Sequence, residues 1–121
     1  MKKVIATSEA PKAVGPYSQA IEVNGTLYIS GQIPVNPADG TVQEEITAAA
    51  HQSLKNIGAI LREAGMTYDN VVKTTVLLAD IADFKAVNEV YAEYFTGDKP
   101  ARACYQAAAL PLGVKVEIEA I

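Results

Sequence analysis

One segment constrains the fold of this chain more than any other, the stretch NVVKTTVLLA at residues 70–79, which is rich in β-branched and other apolar residues. Such a composition predicts a β-strand. Alternate side chains of a strand point to opposite faces of the sheet, and both faces of this segment are largely apolar. We therefore expect a central strand that is buried on both sides.

An amphipathic helix is predicted on each side of this strand. The first covers roughly residues 44–64, where apolar residues recur at helical spacing, namely Ala50, Leu54, Ile57, Leu61 and Ala64. Gly65 follows at the position of a left-handed C-terminal cap. The second covers about 83–95, with Asp83 as its N-cap and an apolar stripe formed by Phe84, Val87, Tyr91 and Tyr94 or Phe95. We interpret these aromatic residues as core residues and not as a stacking platform.

Shorter strands are predicted elsewhere. Asn24-Gly25 lies between two alternating apolar segments, 20–24 and 26–30, and indicates a β-hairpin, because both turn residues must tolerate a positive φ. Three further strands are expected at about 2–6, 101–108 and 114–120. Residues rich in Pro, Gly, Asn and Asp predict loops at 11–19 and 31–41.

These elements predict one α+β domain over residues 1–121, a two-layer sandwich with both helices on one face of the sheet. No third layer is available to cover the other face. Since the central strand is apolar on both sides, we expect further copies of the same chain to cover it. The sequence thus predicts a homo-oligomer.

The last two predicted strands carry polar residues that could do chemistry. Alternation places two sets of side chains on one face of their strands, Arg102, Cys104 and Gln106 on the first and Lys115, Glu117 and Glu119 on the second. If the strands pair as a hairpin about residues 110–111, Cys104 lies near Glu117 and Arg102 near Glu119. This polar face is either a solvated edge with a surface ion pair, or a site where arginine binds a carboxylate and glutamate activates water.

Charge and composition disfavour several classes of function. The net charge of −4 argues against binding to nucleic acid. A single histidine, His51, and a single cysteine, Cys104, argue against a zinc site, and no glycine-rich phosphate-binding motif occurs. No apolar segment has the length of a signal peptide or a membrane span. A lone thiol suits a reducing compartment, so we expect a cytoplasmic protein without a metal, a nucleic-acid partner or a membrane partner.

Six short motifs follow one another along the chain: GPYSQA at 15–20, SGQIP at 30–34, VKTTV at 72–76, VNEVY at 87–91, PARAC at 100–104 and VEIEAI at 116–121. Each motif alone is weak. In this order and at this spacing, they make the whole chain resemble the RidA/YjgF family.

The resemblance implies a chorismate-mutase-like α+β sandwich with a mixed sheet, assembled as a homotrimer with its sites between subunits. It also implies hydrolytic deamination of 2-imino or enamine acids, such as 2-iminobutanoate and 2-iminopropanoate, to 2-keto acids and ammonia, without a cofactor or metal. In this view Arg102 holds the substrate carboxylate and Glu117 positions or activates the attacking water. The substrate-binding residues implied by the resemblance are Tyr17, Ser30, Gly31, Asn88, Arg102 and Cys104.

Other interpretations stay open at this point. Ala103 and Ala109 stand where many members of the deaminating branch have polar residues, which concerns the rim of the pocket and the substrate preference. A non-enzymatic ligand sensor or chaperone-like module is one alternative function. An endoribonuclease is another, and the acidic charge, the lone histidine and the absence of a metal cluster in the sequence disfavour it.

Three further residues are interpreted without a role in catalysis. No activating histidine is near Cys104 in the sequence, so we interpret it as a pocket-lining thiol and not as a nucleophile. We expect His51 to be structural or exposed. Glu119 is expected to be a solvated or interface carboxylate.

Overall fold

The strand predicted at residues 70–79 lies in the interior of a six-stranded sheet. A computed structural model describes all residues, 1–121. The sheet has the order β1-β2-β3-β6-β4-β5, with β1 at Lys3–Ile5, β2 at Ala20–Val23, β3 at Thr26–Gln32, β4 at Lys73–Leu78, β5 at Ala101–Gln106 and β6 at Val116–Ala120. The two helices are α1 at Ile46–Glu63 and α2 at Phe84–Tyr94. Only β4 and β5 are parallel neighbours, so the α+β fold has the expected mixed sheet.

Both helices lie on one face of the sheet, as predicted. The first, α1, packs against β3 and β6, and α2 packs against α1. Directly paired residues form a row of side chains that crosses the sheet beneath the helices, namely Ile5, Ala20, Ile29, Ala120 and Thr74. All five are buried. Removal of this face from water is the main favourable contribution to folding.

The C-terminal cap of α1 is the predicted one. Gly65 has a φ of 74°, in the left-handed region. The N–H of Gly65 donates to the carbonyl of Arg62 at 3.0 Å, and the N–H of Met66 donates to the carbonyl of Leu61 at 2.8 Å. This pair of hydrogen bonds is a Schellman motif, which satisfies carbonyl groups that the helix end leaves without partners.

Asp83 is the N-cap residue of α2, as predicted, but its side chain makes no capping hydrogen bond. A 3₁₀ turn at Ile81–Asp83 precedes the helix, and the carboxylate of Asp80 accepts from the N–H of Ala82 at 2.9 Å. The side-chain capping bond is thus made by Asp80 on the preceding turn and not by Asp83.

The β2–β3 hairpin is confirmed. Asn24 and Gly25 have φ angles of 50° and 78°, as a two-residue turn with the twist of the flanking strands requires. Strand β3 is longer than expected and reaches Gln32. Its pairing with β6 shifts register between Ile29 and Gln32. Such a bulge changes the direction of the side chains within it, and Ser30 and Gly31 lie there.

The predicted hairpin of the last two strands is wrong. Strand β5 pairs in parallel with β4, and β6 pairs antiparallel with the other edge of β4. After β5 the chain passes through residues 107–115 and inserts β6 between β3 and β4. The physical reason is burial, because the peptide groups of a strand that is apolar on both faces need hydrogen-bonding partners on both edges.

The second face of the sheet is uncovered in a single chain. Val4, Tyr28 and Tyr105 are exposed on it, and the pairing of Val4 with Ile21 and of Ile21 with Tyr28 places three apolar side chains side by side. An uncovered apolar sheet face is typical of a surface that packs against another chain.

Close packing between α1 and the segment after it depends on a glycine. The hydroxyl of Tyr68 donates to the carbonyl of Leu54 at 2.7 Å. Burial raises the pKa of Tyr68 to about 12, so the hydroxyl stays protonated and can donate. A Cβ atom on Gly58 would lie 2.1 Å from the Tyr68 hydroxyl oxygen. Only glycine leaves room for this hydrogen bond.

We therefore expect Gly58→Ala to lower the free energy of unfolding by about 2 kcal/mol, although alanine itself favours a helix by about 1 kcal/mol. Urea denaturation at a fixed protein concentration measures the change. The control is the same substitution in a Tyr68→Leu background, where no ring is displaced and alanine should be neutral or stabilising by up to about 1 kcal/mol. Equal destabilisation in both backgrounds would show that the tyrosine is not the cause.

Candidate functional site

The side chain of Arg102 is held in a fixed position by one face of α2. Its Nη1 donates to the Oδ1 atom of Asn88 at 2.8 Å. Its Cζ lies 5.4 Å from the ring centroid of Phe84 and 4.9 Å from that of Tyr91. Residues 84, 88 and 91 are spaced by four and three, so α2 presents all three side chains to the strand β5 that carries the arginine. Arg102 and Asn88 are thus brought together, as the predicted site requires.

The aromatic residues of α2 correct one prediction. We expected core residues and no stacking platform, but Phe84 and Tyr91 lie at cation–π distance from the guanidinium. Phe84 is 40% exposed, whereas Tyr91 and Phe95 are buried as expected. The helical period predicts which residues share a face, but it does not predict that a cation from a strand packs on that face.

A second group of predicted residues lines a cavity of about 400 Å³ on the other side of the sheet, namely Tyr17, Ser30, Gly31 and Glu117. The cavity is also lined by Glu119 and by the apolar residues Val14, Ile33 and Pro111. Tyr17 is 48% exposed. The carboxylate of Glu117 is half-buried and makes no ion pair, so it is available to a ligand.

Gly31 sets the position of Glu117. A Cβ atom at residue 31 would lie 2.7 Å from the Oε2 atom of Glu117 and 2.8 Å from its Cδ atom. Heavy atoms do not approach this closely without displacement. The absence of a side chain at Gly31 is therefore what lets the carboxylate lie against the bulge of β3.

The environment of Glu117 favours its protonated form. Burial raises the pKa of Glu117, and the nearby Glu119 carboxylate raises it further. A carboxylate with a raised pKa is a stronger base once it is ionised. A larger fraction of Glu117 is also protonated near neutral pH than of an ordinary surface glutamate, so the same group can serve as the acid in a later step.

Ser30 and Tyr17 are both tied to the loop that precedes β2. The Oγ of Ser30 donates to the carbonyl of Ser18 at 2.6 Å, and the hydroxyl of Tyr17 accepts from the N–H of Val14 at 3.3 Å. The Ser30 hydroxyl thus braces the loop that carries Tyr17. Its oxygen still has lone pairs that can accept a hydrogen bond from a ligand.

Sequence reasoning missed the residue that anchors this loop, Gln19. Its buried side-chain amide donates to the carbonyls of Thr7, Ala10 and Pro11, and its Oε1 accepts from the N–H of Thr7 at 2.7 Å. Gln19 stands inside the GPYSQA motif. Nothing in the alternation of β2 predicts that this amide points inward.

Asn56 was missed as well, although the helical period places it on a buried face four residues before Ile60. Its amide donates to the carbonyls of Ile33 and Val35 at 3.1 and 3.0 Å. The side chain therefore fixes the loop from which Ile33 lines the cavity.

Cys104 lies on the same face of β5 as Arg102 and packs against the core. Burial raises the pKa of the Cys104 thiol, and Arg102 lowers it by a smaller amount. The protonated thiol is therefore favoured, which agrees with a lining role and not with a nucleophile. The one histidine is elsewhere, because the Nδ1 atom of His51 lies 2.7 Å from the hydroxyl of Tyr94.

Arg102 and Glu117 lie on opposite faces of the sheet. Thr74 of β4 pairs with Arg102 on one side and with Ala120 on the other, so all three face the helices. Leu77 pairs with Glu117 and with Tyr105, and these three face away from the helices. The expectation that arginine, thiol and carboxylate share one polar face of a single chain is therefore wrong, because the pairing through β4 aligns Arg102 with Ala120, and Glu117 has the opposite direction to Ala120 in the alternation of β6.

No group of three or more His, Cys, Asp or Glu side chains in residues 1–121 is arranged to hold a metal ion. None of the helices combines the length and the apolar character needed to cross a membrane. The chemical groups on offer are a fixed guanidinium on the helix side and a half-buried carboxylate on the open side.

Comparison with known proteins identifies the family. The family described as Endoribonuclease L-PSP matches residues 7–121. The chain is 57% identical over its whole length to 90% of the mouse protein named 2-iminobutanoate/2-iminopropanoate deaminase. It superposes with a TM-score of 0.97 on a Rid-family protein of Yersinia pestis, at 50% identity over 99% of this chain and 97% of that one. It also matches the YjgF gene product of E. coli, with a TM-score of 0.95 and 46% identity over 98% of this chain and 95% of the other. The chain therefore belongs to the RidA/YjgF family, as its motifs predicted.

Proposed function

We propose that this chain is a deaminase that hydrolyses 2-imino acids and their enamine tautomers to 2-keto acids and ammonia. The observation that carries the proposal is the fixed guanidinium of Arg102, hydrogen-bonded to Asn88 and packed on two aromatic rings. Its remaining N–H groups offer a planar fork that matches a carboxylate. The mouse relative, which is 57% identical to this chain over its whole length, is named for this reaction and supports the proposal.

Arg102 binds the substrate carboxylate and so fixes the position of the adjacent imine carbon. Asn88 occupies one donor of Nη1 and leaves the other edge of the guanidinium to the ligand. Tyr17, Ser30 and Gly31 contribute the wall of the Glu117 cavity, and Cys104 contributes the part of the pocket beside Arg102 on β5. Binding in one orientation turns the attack by water into an effectively intramolecular step.

Glu117 handles the protons of the reaction. The imine reacts in its protonated form. The Glu117 carboxylate takes a proton from water as the oxygen attacks the iminium carbon, which gives a neutral carbinolamine. The protonated Glu117 then gives this proton to the carbinolamine nitrogen. As the C–N bond breaks and ammonia leaves, the hydroxyl proton passes back to the Glu117 carboxylate and the C=O bond of the keto acid forms; Glu117 then loses that proton to ammonia or solvent. A pKa raised by burial and by Glu119 suits a group that must accept and donate in turn.

The two halves of the site meet between subunits. Arg102 and Glu117 lie on opposite faces of one sheet, at β4 positions separated by three residues, or about 10 Å along the strand. We propose that the Arg102 of one subunit faces the Glu117 cavity of a neighbour in a homotrimer. The uncovered apolar face that includes Val4 and Tyr28 supports such an assembly. Each subunit contributes residues 1–121 as one domain.

The reaction needs no cofactor and no metal, because an imine carbon is already electrophilic. The lone free thiol of Cys104 supports a location in the reducing cytoplasm. Its partners are then small 2-imino and 2-keto acids, and neither nucleic acid nor a membrane.

The experiment that tests this function is the release of ammonia from 2-iminobutanoate, generated in place by an amino-acid oxidase and trapped competitively with semicarbazide. We expect Arg102→Ala to lower kcat/KM by at least about 100-fold, since a charge-assisted hydrogen-bonding pair to the carboxylate is lost. Arg62→Ala, which removes an exposed arginine of α1, is the matched control and should keep the full rate.

Background rates in the wild type and in both variants would reject the deaminase. Tight binding of 2-ketobutanoate without turnover would then favour a ligand sensor. Cleavage of RNA that follows the pure protein and is lost in Arg102→Ala would favour the nuclease in the family description.

Mixed assemblies test the shared site. Arg102→Ala and Glu117→Gln chains, unfolded and refolded together in equal amounts, should recover about a quarter of the wild-type rate, because a quarter of the interfaces join an intact Arg102 to an intact Glu117. Each variant refolded alone is the control and stays inactive. No recovery in mixtures that form trimers would place both groups in a site within one chain.

The pH profile tests the role of Glu117 as a base. The group must be ionised to accept a proton, so kcat/KM should fall as the pH drops through its raised pKa. Glu119→Gln removes one cause of the raised pKa and should move this acidic limb to lower pH. Glu63→Gln, at the exposed end of α1, should leave the limb in place. A limb that does not move in Glu119→Gln would contradict the assignment of the base.

A further inference from the structure

A buried hydrogen bond lies directly behind the guanidinium of Arg102. The hydroxyl oxygens of Thr74 and Tyr91 are 2.7 Å apart, and both residues are buried, at 0% and 7% exposure. The ring of Tyr91 is the aromatic surface closest to Arg102, with its centroid 4.9 Å from Cζ. Thr74 is also the residue of β4 that pairs directly with Arg102 of β5. Thr74 thus lies next to the backbone of Arg102 and also holds the Tyr91 ring beneath the Arg102 guanidinium.

We propose that Thr74 and Tyr91 are positioning residues of the deaminase, which hold the Arg102 guanidinium in the orientation that receives the substrate carboxylate. This inference rests on the proposed function and extends it to two residues that do not touch the substrate. Asn88 fixes the edge of the guanidinium, and the Tyr91 ring fixes its plane.

The packing around Tyr91 leaves its ring little freedom. The Phe95 ring lies behind it, with the centroids 4.5 Å apart, and the hydroxyl is tied to Thr74 on the sheet. A ring held at both ends keeps one orientation. An arginine that packs on such a surface loses less side-chain entropy when it binds a ligand.

A merely structural role makes a different prediction from a positioning role. If the hydrogen bond only satisfies two buried hydroxyl groups, its loss lowers thermal stability and leaves the kinetic constants of the folded enzyme unchanged. If it positions Arg102, its loss weakens binding of the carboxylate, so KM rises while kcat stays nearly constant.

The experiment compares the wild type with Thr74→Val, which keeps the shape and removes the hydroxyl, and with Tyr91→Leu, which removes the ring. For 2-iminobutanoate we expect KM to rise about fivefold in Thr74→Val and about tenfold in Tyr91→Leu, with kcat within about twofold of the wild type. Thr74→Ser restores the hydroxyl and should restore KM. In an Arg102→Lys background, Tyr91→Leu should change KM by less than about twofold, because the planar head group is gone.

A direct signature comes from the ¹⁵Nε–¹Hε resonance of Arg102. We expect an ordered side chain in the wild type and Thr74→Ser, and a mobile one in Thr74→Val and Tyr91→Leu. This measurement does not depend on turnover. If the wild type proves inactive, the proposed function is rejected, but the resonance still shows whether Thr74 and Tyr91 hold Arg102 in place. Turnover in the wild type with unchanged KM and an unchanged resonance in both variants would overturn the inference.

Discussion

The architecture depends on the burial of β4 under the helices and on the pairing of both its edges. Its side chains are covered by helices on one face, and its peptide groups bond to β5 on one edge and to β6 on the other. A strand this apolar is stable only with both edges paired, since an unpaired buried peptide group costs as much as a lost hydrogen bond. That requirement sets the strand order, and the register of the paired strands decides on which side of the sheet each reactive group lies.

Much of the fold was predictable because it depends on local periods. Helical spacing gave α1 and α2, Gly65 marked a cap, and Asn24-Gly25 marked a hairpin. Alternation also sorted residues correctly within each strand, so that Arg102 shares a face with Cys104 and Glu117 with Glu119. What the pattern could not predict was which strands are neighbours. A hairpin and an insertion through residues 107–115 both satisfy the same alternation, and only the competition for the edges of β4 distinguishes them.

The two halves of the site differ in how they are held. Arg102 is fixed by side chains from α2, a helix that is itself held by α1. Glu117 is fixed by the backbone of the β3 bulge and by loops that Gln19 and Asn56 attach to the rest of the fold. The guanidinium of Arg102 is thus held in place within a single chain. The carboxylate lies in a cavity bordered by loops, where a neighbouring chain can complete it.

The contact between Gly31 and Glu117 has an evolutionary consequence. A side chain at position 31 would occupy the space of the glutamate's carboxylate and displace that group from the bulge. The constraint runs in one direction, because glycine at position 31 leaves room for any residue at 117, whereas glutamate at 117 keeps its place only opposite glycine. Natural variants that keep the glutamate should therefore keep the glycine as well.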